Sequence, residues 1–568
     1  MVILEVAVMK NIELFRDYEN AKLVTAEAFV DAHRDTTVKY SDLSARNIDG
    51  IPICIRRDDE GELEVTFTPD THLLAIGATR SGKTTGYVIP TLNVLLNKKN
   101  RPSMVISDPK QELYRANAHK FAQRGYRVLL LDFTNYTHSD CWNPLTKYYR
   151  AYRKYLQVED HVELVETAQG LCHRFQGVIY RDQQELSRVL SEQKERYLDE
   201  AEKGITAICR AVIPSINQKD PFWEDSSRDL LKAILYGMLE DSVTGAITED
   251  SFSFDTVLRI VDGFTDSDSN YDGGYFTKRN IVTSKAHQLA RKCIIEQASS
   301  TRRCISSCFS AVMSKFRDTA VRRITCTNTF EMQELDGDVP TVIFVFYKDE
   351  ESLHYEMISM FLTNLYTELI ALARKKGTSL SRPFYFLLDE FGNLPKFNDF
   401  DKVISACGGR NVWFLLILQS YAQLNNVYGK ETADIIKDNL NTHLFFGTNN
   451  PETKREFSEE CGKKTVISPT SALNGSGEVI ERFEKDTVAL VPVSTLTKLS
   501  VGECIVTQMR EDVLWSHFER SYTCPEFSGS TEGPEKRKNV VRFMDSKYTY
   551  RPVEQPPEES RAVQMLKF

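Results

Sequence analysis

Short apolar runs recur in two separate parts of the chain, and turn-forming or polar residues bound each run. In the first part they predict strands at 51–56, 62–67, 72–76, 104–107 and 126–131. In the second part they predict strands at 340–347, 384–390, 412–418 and 445–448. Because helical stretches separate several of these runs, the pattern is typical of an α/β fold with a parallel sheet and helices on its faces.

A different spacing occupies the middle of the chain. From about residue 150 to 325 the apolar positions follow the helical period, as in 185–211 and 221–241. We therefore expect an all-helical domain inserted into the α/β domain. The C-terminal tail contains several prolines and mixed charges without apolar periodicity, so we expect it to be disordered or to fold only upon binding a partner. The predicted divisions are a leader at 1–50, an α/β domain at 51–148 and 326–520, a helical insert at 149–325 and a tail at 521–568.

The composition of the 568-residue chain is that of an ordinary water-soluble protein, with 41% hydrophobic and 27% charged residues. The net charge of −9 argues against a protein that coats nucleic acid over its whole surface, although it is compatible with a local basic surface. The twelve cysteines include no C-x-x-C pair, which favours reduced thiols in the cytosol. The apolar stretch 355–373 is interrupted by Glu356, Asn364 and Glu368, which predicts a core helix rather than a membrane span.

The strand at 72–76 leads directly into GATRSGKT, which has the spacing G-x-x-x-x-G-K-[ST] of a phosphate loop. Its two glycines allow backbone N–H groups to curl around a phosphate, and the following helix directs its positive end at the same anion. The lysine can reach the β- and γ-phosphates of a nucleotide, and the hydroxyl of Thr84 can bind Mg²⁺. The predicted nucleotide-binding residues are Gly77, Ala78, Thr79, Arg80, Ser81, Gly82, Lys83, Thr84 and Thr85.

A second buried strand ends in two acids, Asp389 and Glu390. A phosphate loop needs a carboxylate from a neighbouring strand to hold Mg²⁺, and Asp389 fits this role. Glu390 fits the general base that polarises the attacking water. Gln419, at the tip of another central strand, fits an amide that reports whether the γ-phosphate is present. Asp108 also follows a strand, and it is either a ligand-binding side chain or a helix cap.

Residues 278–323 carry a local excess of positive charge, since their eleven lysines and arginines are opposed within the segment only by Glu296 and Asp318. Such an excess is typical of surfaces that bind the phosphate backbone of DNA. The alternative is a set of solvated helix faces without a ligand. The candidate DNA contacts are Arg302, Arg303, Lys315 and Arg317.

Seven stretches, taken together and in order, resemble the type IV secretion coupling proteins, the hexameric DNA-pumping ATPases of conjugation. They cover residues 70–510 approximately. The stretches are GATRSGKT at 77–84, SDPKQELYR at 107–115, WNPL at 142–145, DPFWEDSSRDLLKA at 220–233, LLDEFGNLP at 387–395, ILQSYAQLNNVYG at 417–429 and CGKKT at 461–465.

The resemblance implies a RecA-like P-loop NTPase domain with a parallel sheet, interrupted by an all-α domain. It implies a homo-hexameric ring with ATP and Mg²⁺ at subunit boundaries and a central channel for DNA. A basic residue from the neighbouring subunit completes each site in such rings, and Arg410 lies where the family carries one. The implied partners are DNA, either single-stranded or bound by a relaxase, the relaxase with its associated proteins, and subunits of the secretion channel.

Family members usually carry transmembrane helices before the nucleotide-binding domain, and the sequence predicts no such helix here. We therefore expect a soluble variant, or a chain from which that segment has been removed. Its expected location is the cytoplasm, at the inner face of the cell membrane, where a partner subunit provides the membrane contact.

Two other functions are compatible with the nucleotide site. A cell-division-type translocase of double-stranded DNA belongs to the same motor class, but WNPL, DPFW and the large insert favour conjugation. A docking adaptor that binds ATP without hydrolysing it has no need of a base such as Glu390. The sequence therefore favours an ATP-hydrolysing coupling protein that recruits a relaxase–DNA substrate and drives DNA transfer through a type IV secretion channel.

Overall fold

The structure is a computed structural model, and two compact units make up the part of the chain that it describes. The first unit contains the described residues up to Thr134 together with those from Glu331 onward, and the second lies within Asn135–Phe330. The described residues are 21–69, 71–167, 170–214, 221–265, 271–272, 274–348, 354–397, 399–473 and 479–528.

The described residues form eighteen strands and sixteen α-helices, numbered here in chain order. Strands β1–β18 are Leu23–Thr25, Thr37–Lys39, Ile51–Arg57, Leu63–Thr68, Leu73–Ile76, Ser103–Ser107, Arg127–Asp132, Glu163–Thr167, Gly170–Phe175, Val178–Tyr180, Thr341–Phe346, Phe384–Leu388, Val412–Leu418, Thr442–Phe445, Lys463–Leu473, Val479–Ala489, Glu503–Gln508 and Val513–His517. Helices α1–α16 are Ala26–Ala32, Ile89–Asn97, Glu112–Gln123, Thr146–Leu156, Gln183–Val212, Phe222–Val243, Phe254–Asp262, Lys285–Ala290, Ser299–Met313, Thr319–Ile324, Tyr355–Lys375, Phe400–Cys407, Tyr421–Tyr428, Lys430–Asp438, Pro451–Glu460 and Val493–Thr497.

Ten of these strands form one sheet in the first unit, in the order β1-β18-β17-β14-β5-β13-β12-β6-β11-β7. The neighbours from β14 to β7 are all parallel, whereas β17 pairs antiparallel with both β14 and β18. Strands β5, β6, β11 and β12 are buried along their whole length. Strands with helices on both faces need apolar residues at every position, which explains their continuous apolar runs. The structure therefore confirms the predicted α/β fold with a parallel sheet.

The register of the sheet aligns the strand ends that carry polar residues. Ile76 at the end of β5 is opposite Leu418 of β13, and Leu388 of β12 is opposite both Leu416 and Ser107. Since these strands are parallel, the loops that follow β5, β6, β12 and β13 all leave the sheet at one edge.

The second unit is largely helical, with α6 buried along most of its length and packed against α5, α8 and α9. Among its described residues it departs from the all-helical prediction where β8, β9 and β10 form a three-stranded antiparallel sheet. Gln176 and Gly177 join β9 to β10 with φ angles of +49° and +82°. Two successive residues with positive φ are the requirement of a tight two-residue hairpin turn. The turn gives little signal in the sequence, because Gln-Gly stands where an Asn-Gly or Asp-Gly pair is usual.

The boundaries of the second unit differ from the predicted ones at 148 and 326. Residues just after Thr134 pair with those just before Glu331: the N–H of Trp142 donates to the carbonyl of Ile324 at 2.7 Å. The N–H of Cys141 likewise donates to the hydroxyl of Thr329 at 2.9 Å. The segments that enter and leave the insert are therefore hydrogen-bonded to each other, so both belong to the second unit.

The predicted leader and tail each contain structured residues. Residues 21–50 form β1, α1 and β2, and β1 extends the central sheet by pairing with β18. Residues 521–528, which were expected to be disordered, pack on the first unit: Cys524 and Phe527 are buried, and Arg57 forms ion pairs with Glu519 and Glu526. The remainder of the predicted leader, 1–20, and of the tail, 529–568, lies outside the described residues.

Helix α11 corresponds to the apolar stretch 355–373 and contributes eleven buried residues to the first unit, Glu368 among them. Within the described residues, every helix is either too short or too polar to cross a lipid bilayer.

Phe527 gives a test of the packed C-terminal segment. Its ring is 3% exposed and lies 5.5 Å from the ring of Tyr40, so Phe527→Ala should lower the free energy of unfolding by about 3–5 kcal/mol. Tyr522, which is 61% exposed in the same segment, is the matched control, and Tyr522→Ala should change stability by less than about 0.5 kcal/mol. Urea unfolding measures both, and equal stabilities of the two variants would contradict the packing of this segment.

Candidate nucleotide-binding site

The loop that follows β5 is held between two neighbouring strands. The N–H of Gly77 donates to the carbonyl of Leu418 at 3.0 Å, and the N–H of Ala78 donates to the carbonyl of Gly447 at 2.7 Å. A Cβ atom on Gly77 would lie only 2.4 Å from Oγ of Ser81, so the tight curl of the loop requires glycine there. Gly82 has φ +96°, which is the second position where the loop needs a glycine.

The interior of this loop is polar and suits an anion. The hydroxyl oxygen of Ser81 is buried and makes no hydrogen bond with a described residue. The chain then enters a π-helical turn at Lys83–Val88 that continues into α2, so Thr84 and Thr85 lie on its first turn. Backbone N–H groups at a helix start and a buried hydroxyl are groups that hold phosphate. The arrangement is therefore chemically suited to a nucleotide phosphate.

Lys83 is buried, with a relative exposure of 6%. Its ammonium group donates to the carbonyl of Gly77, and it lies 3.4 Å from that of Ala78. Burial lowers the pKa of Lys83, and the nearby carboxylates of Glu390 and Asp389 oppose this shift. The structure thus places the phosphate-loop lysine and the acid pair close enough to interact electrostatically.

Asp389 and Glu390 follow β12 directly and are both less than 10% exposed. The hydroxyl of Ser107 donates to the backbone carbonyl of Asp389 at 2.7 Å, which fixes the strand end against β6. Burial raises the pKa of Asp389 to about 6, with a further contribution from the charge of Glu390, while Lys83 acts in the opposite direction. A bound divalent cation would offset that penalty, which is consistent with a metal-binding role for Asp389.

Glu390 occupies a left-handed backbone position, with φ +52°. Its carboxylate accepts a hydrogen bond from Nε2 of Gln419 at 3.0 Å, and the ammonium of Lys110 lies 3.4 Å from its other oxygen. Gln419 is itself held by two side chains, since its N–H donates to Oε1 of Gln423 and its carbonyl accepts from the hydroxyl of Thr448. The predicted base and the predicted sensor are therefore in direct contact.

Lys110 was not among the predicted site residues, although it lies in the SDPKQELYR stretch. The signal that could have identified it is its position two residues after Asp108, at the carboxyl end of a central strand. Asp108 itself is 1% exposed, and its carboxylate accepts the N–H of Tyr114 in the first turn of α3 at 2.8 Å. Of the two alternatives for Asp108, this contact supports the helix cap.

Arg410 lies away from these residues. It occupies a short helical turn at Gly408–Arg410, just before the amino end of β13, and it donates to the carbonyl of Ala406. Gln419 follows the carboxyl end of the same seven-residue strand, so a strand length of about 20 Å separates the two positions. Within one chain, Arg410 therefore does not join the Lys83–Glu390 site.

The four candidate DNA contacts belong to the second unit and differ in their surroundings. Arg303 is exposed, whereas the guanidinium of Arg302 stacks over the ring of Tyr271 at 4.2 Å. Arg317 forms an ion pair with Asp262. Lys315 is 9% exposed, and its ammonium donates to the carbonyl of Val212 at 2.9 Å. Lys315 is therefore engaged inside the unit rather than at its surface, which corrects the prediction that it contacts DNA.

Other basic residues of 278–323 are also paired, with acids that lie outside that segment. Arg279 is buried against Asp241 at 2.7 Å, and Arg322 pairs with Asp255 at 2.8 Å. Lys285 pairs with Glu202. The predicted excess of positive charge is therefore smaller in the folded unit than along the sequence.

Comparison with known protein families identifies a relationship for this chain. A family model described as type IV secretory system conjugative DNA transfer matches residues 11–482, which is most of the chain. The chain belongs to this family. The resemblance that the sequence motifs indicate is thereby confirmed.

Two Escherichia coli relatives are distant in sequence. The conjugal transfer protein TraG of Escherichia coli is 23% identical over 71% of this chain, and the match spans 57% of TraG. The coupling protein TraD of Escherichia coli strain K12 is 29% identical over 27% of this chain and 21% of TraD. Among solved structures, the plasmid coupling protein TrwB in complex with ADP and Mg²⁺ has a TM-score of 0.52 at 13% identity, covering 81% of this chain and 88% of TrwB. At this identity the structural match shows a shared fold.

The buried carboxyl group of Asp108 gives a prediction about pH. Burial, reinforced by the charge of Asp389, raises the pKa of Asp108 to about 7, above its ordinary value near 4. The folded state therefore binds this proton more tightly than the unfolded state, so the group destabilises the fold as the pH rises from 4 towards 7.

Asp108→Asn keeps an acceptor for the N–H of Tyr114 but cannot ionise. Relative to wild type, it should gain stability on the order of 1 kcal/mol between pH 5 and pH 8, measured by urea unfolding without nucleotide or Mg²⁺. Asp59→Asn, at an exposed turn between β3 and β4, serves as the control. A difference between Asp108→Asn and wild type that does not change with pH would show that Asp108 does not titrate in this range.

Proposed function

We propose that this chain is an ATP-hydrolysing coupling protein that recruits a relaxase–DNA substrate and drives its transfer through a type IV secretion channel. The observation that carries this proposal is the convergence of Lys83, Asp389, Glu390 and Gln419 at one edge of the parallel sheet. Family membership supports the conjugative role. A relative with the same fold, TrwB, is known in complex with ADP and Mg²⁺, which supports these ligands for the present site.

In this proposal the loop from Gly77 to Thr85 binds the phosphates, and Lys83 exchanges its backbone carbonyl partners for phosphate oxygens. Thr84 and Asp389 hold Mg²⁺, which when bound neutralises charge on the β- and γ-phosphates. Glu390 accepts a proton from the attacking water. Gln419, through its bond to Glu390, links the state of the γ-phosphate to the helix α13 that follows.

We further propose that the active form is a homo-hexamer in which the chain's first unit is the motor and its second unit is the substrate-binding insert. Arg410 cannot reach the site of its own chain, and a ring would allow it to approach the γ-phosphate bound by a neighbouring copy. A guanidinium there stabilises the charge that develops as the phosphoryl group is transferred. We also propose that a partner subunit attaches this hexamer to the inner face of the cell membrane.

The motor function is tested by steady-state ATP hydrolysis of the purified chain, with and without single-stranded DNA. Wild type should hydrolyse ATP, and DNA should raise the rate. Glu390→Gln should retain ATP binding but lose about a hundredfold or more in kcat, because an amide cannot accept the proton. Lys83→Ala should abolish ATP binding itself.

The two variants separate the competing functions. A wild-type protein that binds ATP without turnover, yet retains substrate binding, would identify a docking adaptor. Turnover in Glu390→Gln equal to that of wild type would remove the assigned base. Stimulation by double-stranded but not by single-stranded DNA would favour the cell-division-type translocase.

Arg303 and Arg317 are the two exposed candidates for contact with DNA, and Arg317 is already paired with Asp262. Arg303→Glu is therefore the more direct test and should weaken binding of single-stranded DNA about fivefold to tenfold. It should also reduce the salt dependence, lowering the slope of log K against log[salt] by about 0.7 for one lost phosphate contact. Fluorescence anisotropy at several salt concentrations measures both quantities.

Arg188→Glu is the matched control, because Arg188 lies on α5 of the same unit and its side chain is 72% exposed. It makes the same change in net charge at a site outside the basic segment. If Arg303→Glu and Arg188→Glu weaken binding equally, the effect reflects net charge, and Arg303 belongs to a solvated helix face.

A further inference from the structure

The turn between β6 and α3 brings a second lysine to the nucleotide site. The ammonium nitrogen of Lys110 lies 3.4 Å from Oε1 of Glu390, while Oε2 of Glu390 accepts the bond from Nε2 of Gln419 at 3.0 Å. Each oxygen of the carboxylate thus has a different donor. The two donors follow β6 and β13, which lie on either side of the strand that carries Glu390.

The turn that carries Lys110 is itself constrained. The carboxylate of Asp108 binds the N–H of Tyr114, and the N–H of Gln111 donates back to the carbonyl of Asp108 at 3.2 Å. Gln111 has φ +58°, in the left-handed region that an Asp108-anchored turn can impose. Because both ends of the turn are hydrogen-bonded, the backbone position from which Lys110 extends is well defined.

The charge of Lys110 acts on the whole acid–base cluster and not only on Glu390. Burial is the main influence on the pKa of Lys83 and of Asp389, and the charge of Lys110 contributes a smaller downward shift to both, so its ammonium group lies within electrostatic range of both. Its side chain is 46% exposed, compared with 10% for that of Glu390. Lys110 therefore approaches a buried carboxylate from the solvent side of the cluster.

We propose that Lys110 is a positioning residue for Glu390, which it holds together with Gln419 in the orientation needed to activate water. The inference rests on the proposed hydrolytic function. A carboxylate rotates easily about its last torsion angle, and two donors on opposite oxygens restrict that rotation. Each oxygen keeps a further lone pair, so the base can still accept a proton from water.

The test compares Lys110→Met, Lys110→Arg and wild type in steady-state ATP hydrolysis, with ATP affinity measured separately by a fluorescent analogue. Lys110→Met keeps the length of the side chain and removes its charge. It should lower kcat about tenfold to a hundredfold while leaving KM and the analogue's Kd within about twofold of wild type. Lys110→Arg, which retains the positive donor, should recover part of the loss.

Lys99→Met is the matched control, because Lys99 is exposed and precedes the other end of β6. Its kcat should equal that of wild type. A second measurement places Lys110→Met in the Glu390→Gln background. If Lys110 acts through the carboxylate of Glu390, the added substitution should change the residual rate by less than about twofold.

Several results would overturn the inference. A higher Kd and KM with unchanged kcat would make Lys110 a phosphate ligand, and a full additional loss in the Glu390→Gln background would show that it acts independently of Glu390. A kcat for Lys110→Met equal to that of Lys99→Met, with an active wild type, would reject the inference alone. An inactive wild type would reject the proposed hydrolytic function, and the inference with it.

Discussion

A buried group of opposite charges constrains the first unit. Lys83, Asp389 and Glu390 are each less than 10% exposed, and a charge in such a place is costly unless an opposite charge or a hydrogen bond compensates it. The compensation depends on the parallel sheet, because only the alignment of β5 with β12 and β13 brings the lysine of one loop beside the acids of another. The charged cluster therefore requires both the register of the sheet and the glycines of the phosphate loop.

The cluster contains more side chains than the lysine of the phosphate loop and the acid pair. Glu390 lies between donors from two neighbouring strand ends, and Asp108 stabilises the turn from which one of these donors extends. Asp389 and Gln419 are in turn held by a second set of hydrogen bonds with Ser107, Gln423 and Thr448. In the proposed hydrolysis, such support would keep the reacting groups within the narrow range of geometry that the reaction requires.

The second unit illustrates how tertiary structure changes the meaning of a charge pattern. Along the sequence, Arg279 and Arg322 belong to a basic segment with few local acids. In the folded unit they pair with Asp241 and Asp255, which come from earlier helices. Long-range ion pairs of this kind have no sequence period, so a local count of charges overestimates the basic surface. Arg303 retains its exposure, which makes it the more informative residue for a DNA contact.

Local spacing in the sequence was enough to predict the α/β class, which the structure confirms, and to predict a phosphate loop, an acid pair and an amide at the tip of β13 as site residues, because each depends on apolar strands, glycine positions and polar strand ends. It also carried motifs sufficient to indicate the family. The short hairpin at Gln176–Gly177 and the packing of Phe527 were missed, since these depend on an uncommon turn and on contacts between distant segments. The folded chain alone shows that Lys110 lies beside Glu390 and that Arg410 lies at the opposite end of β13 from the site. Those placements follow from strand order and register, which bring together residues hundreds of positions apart.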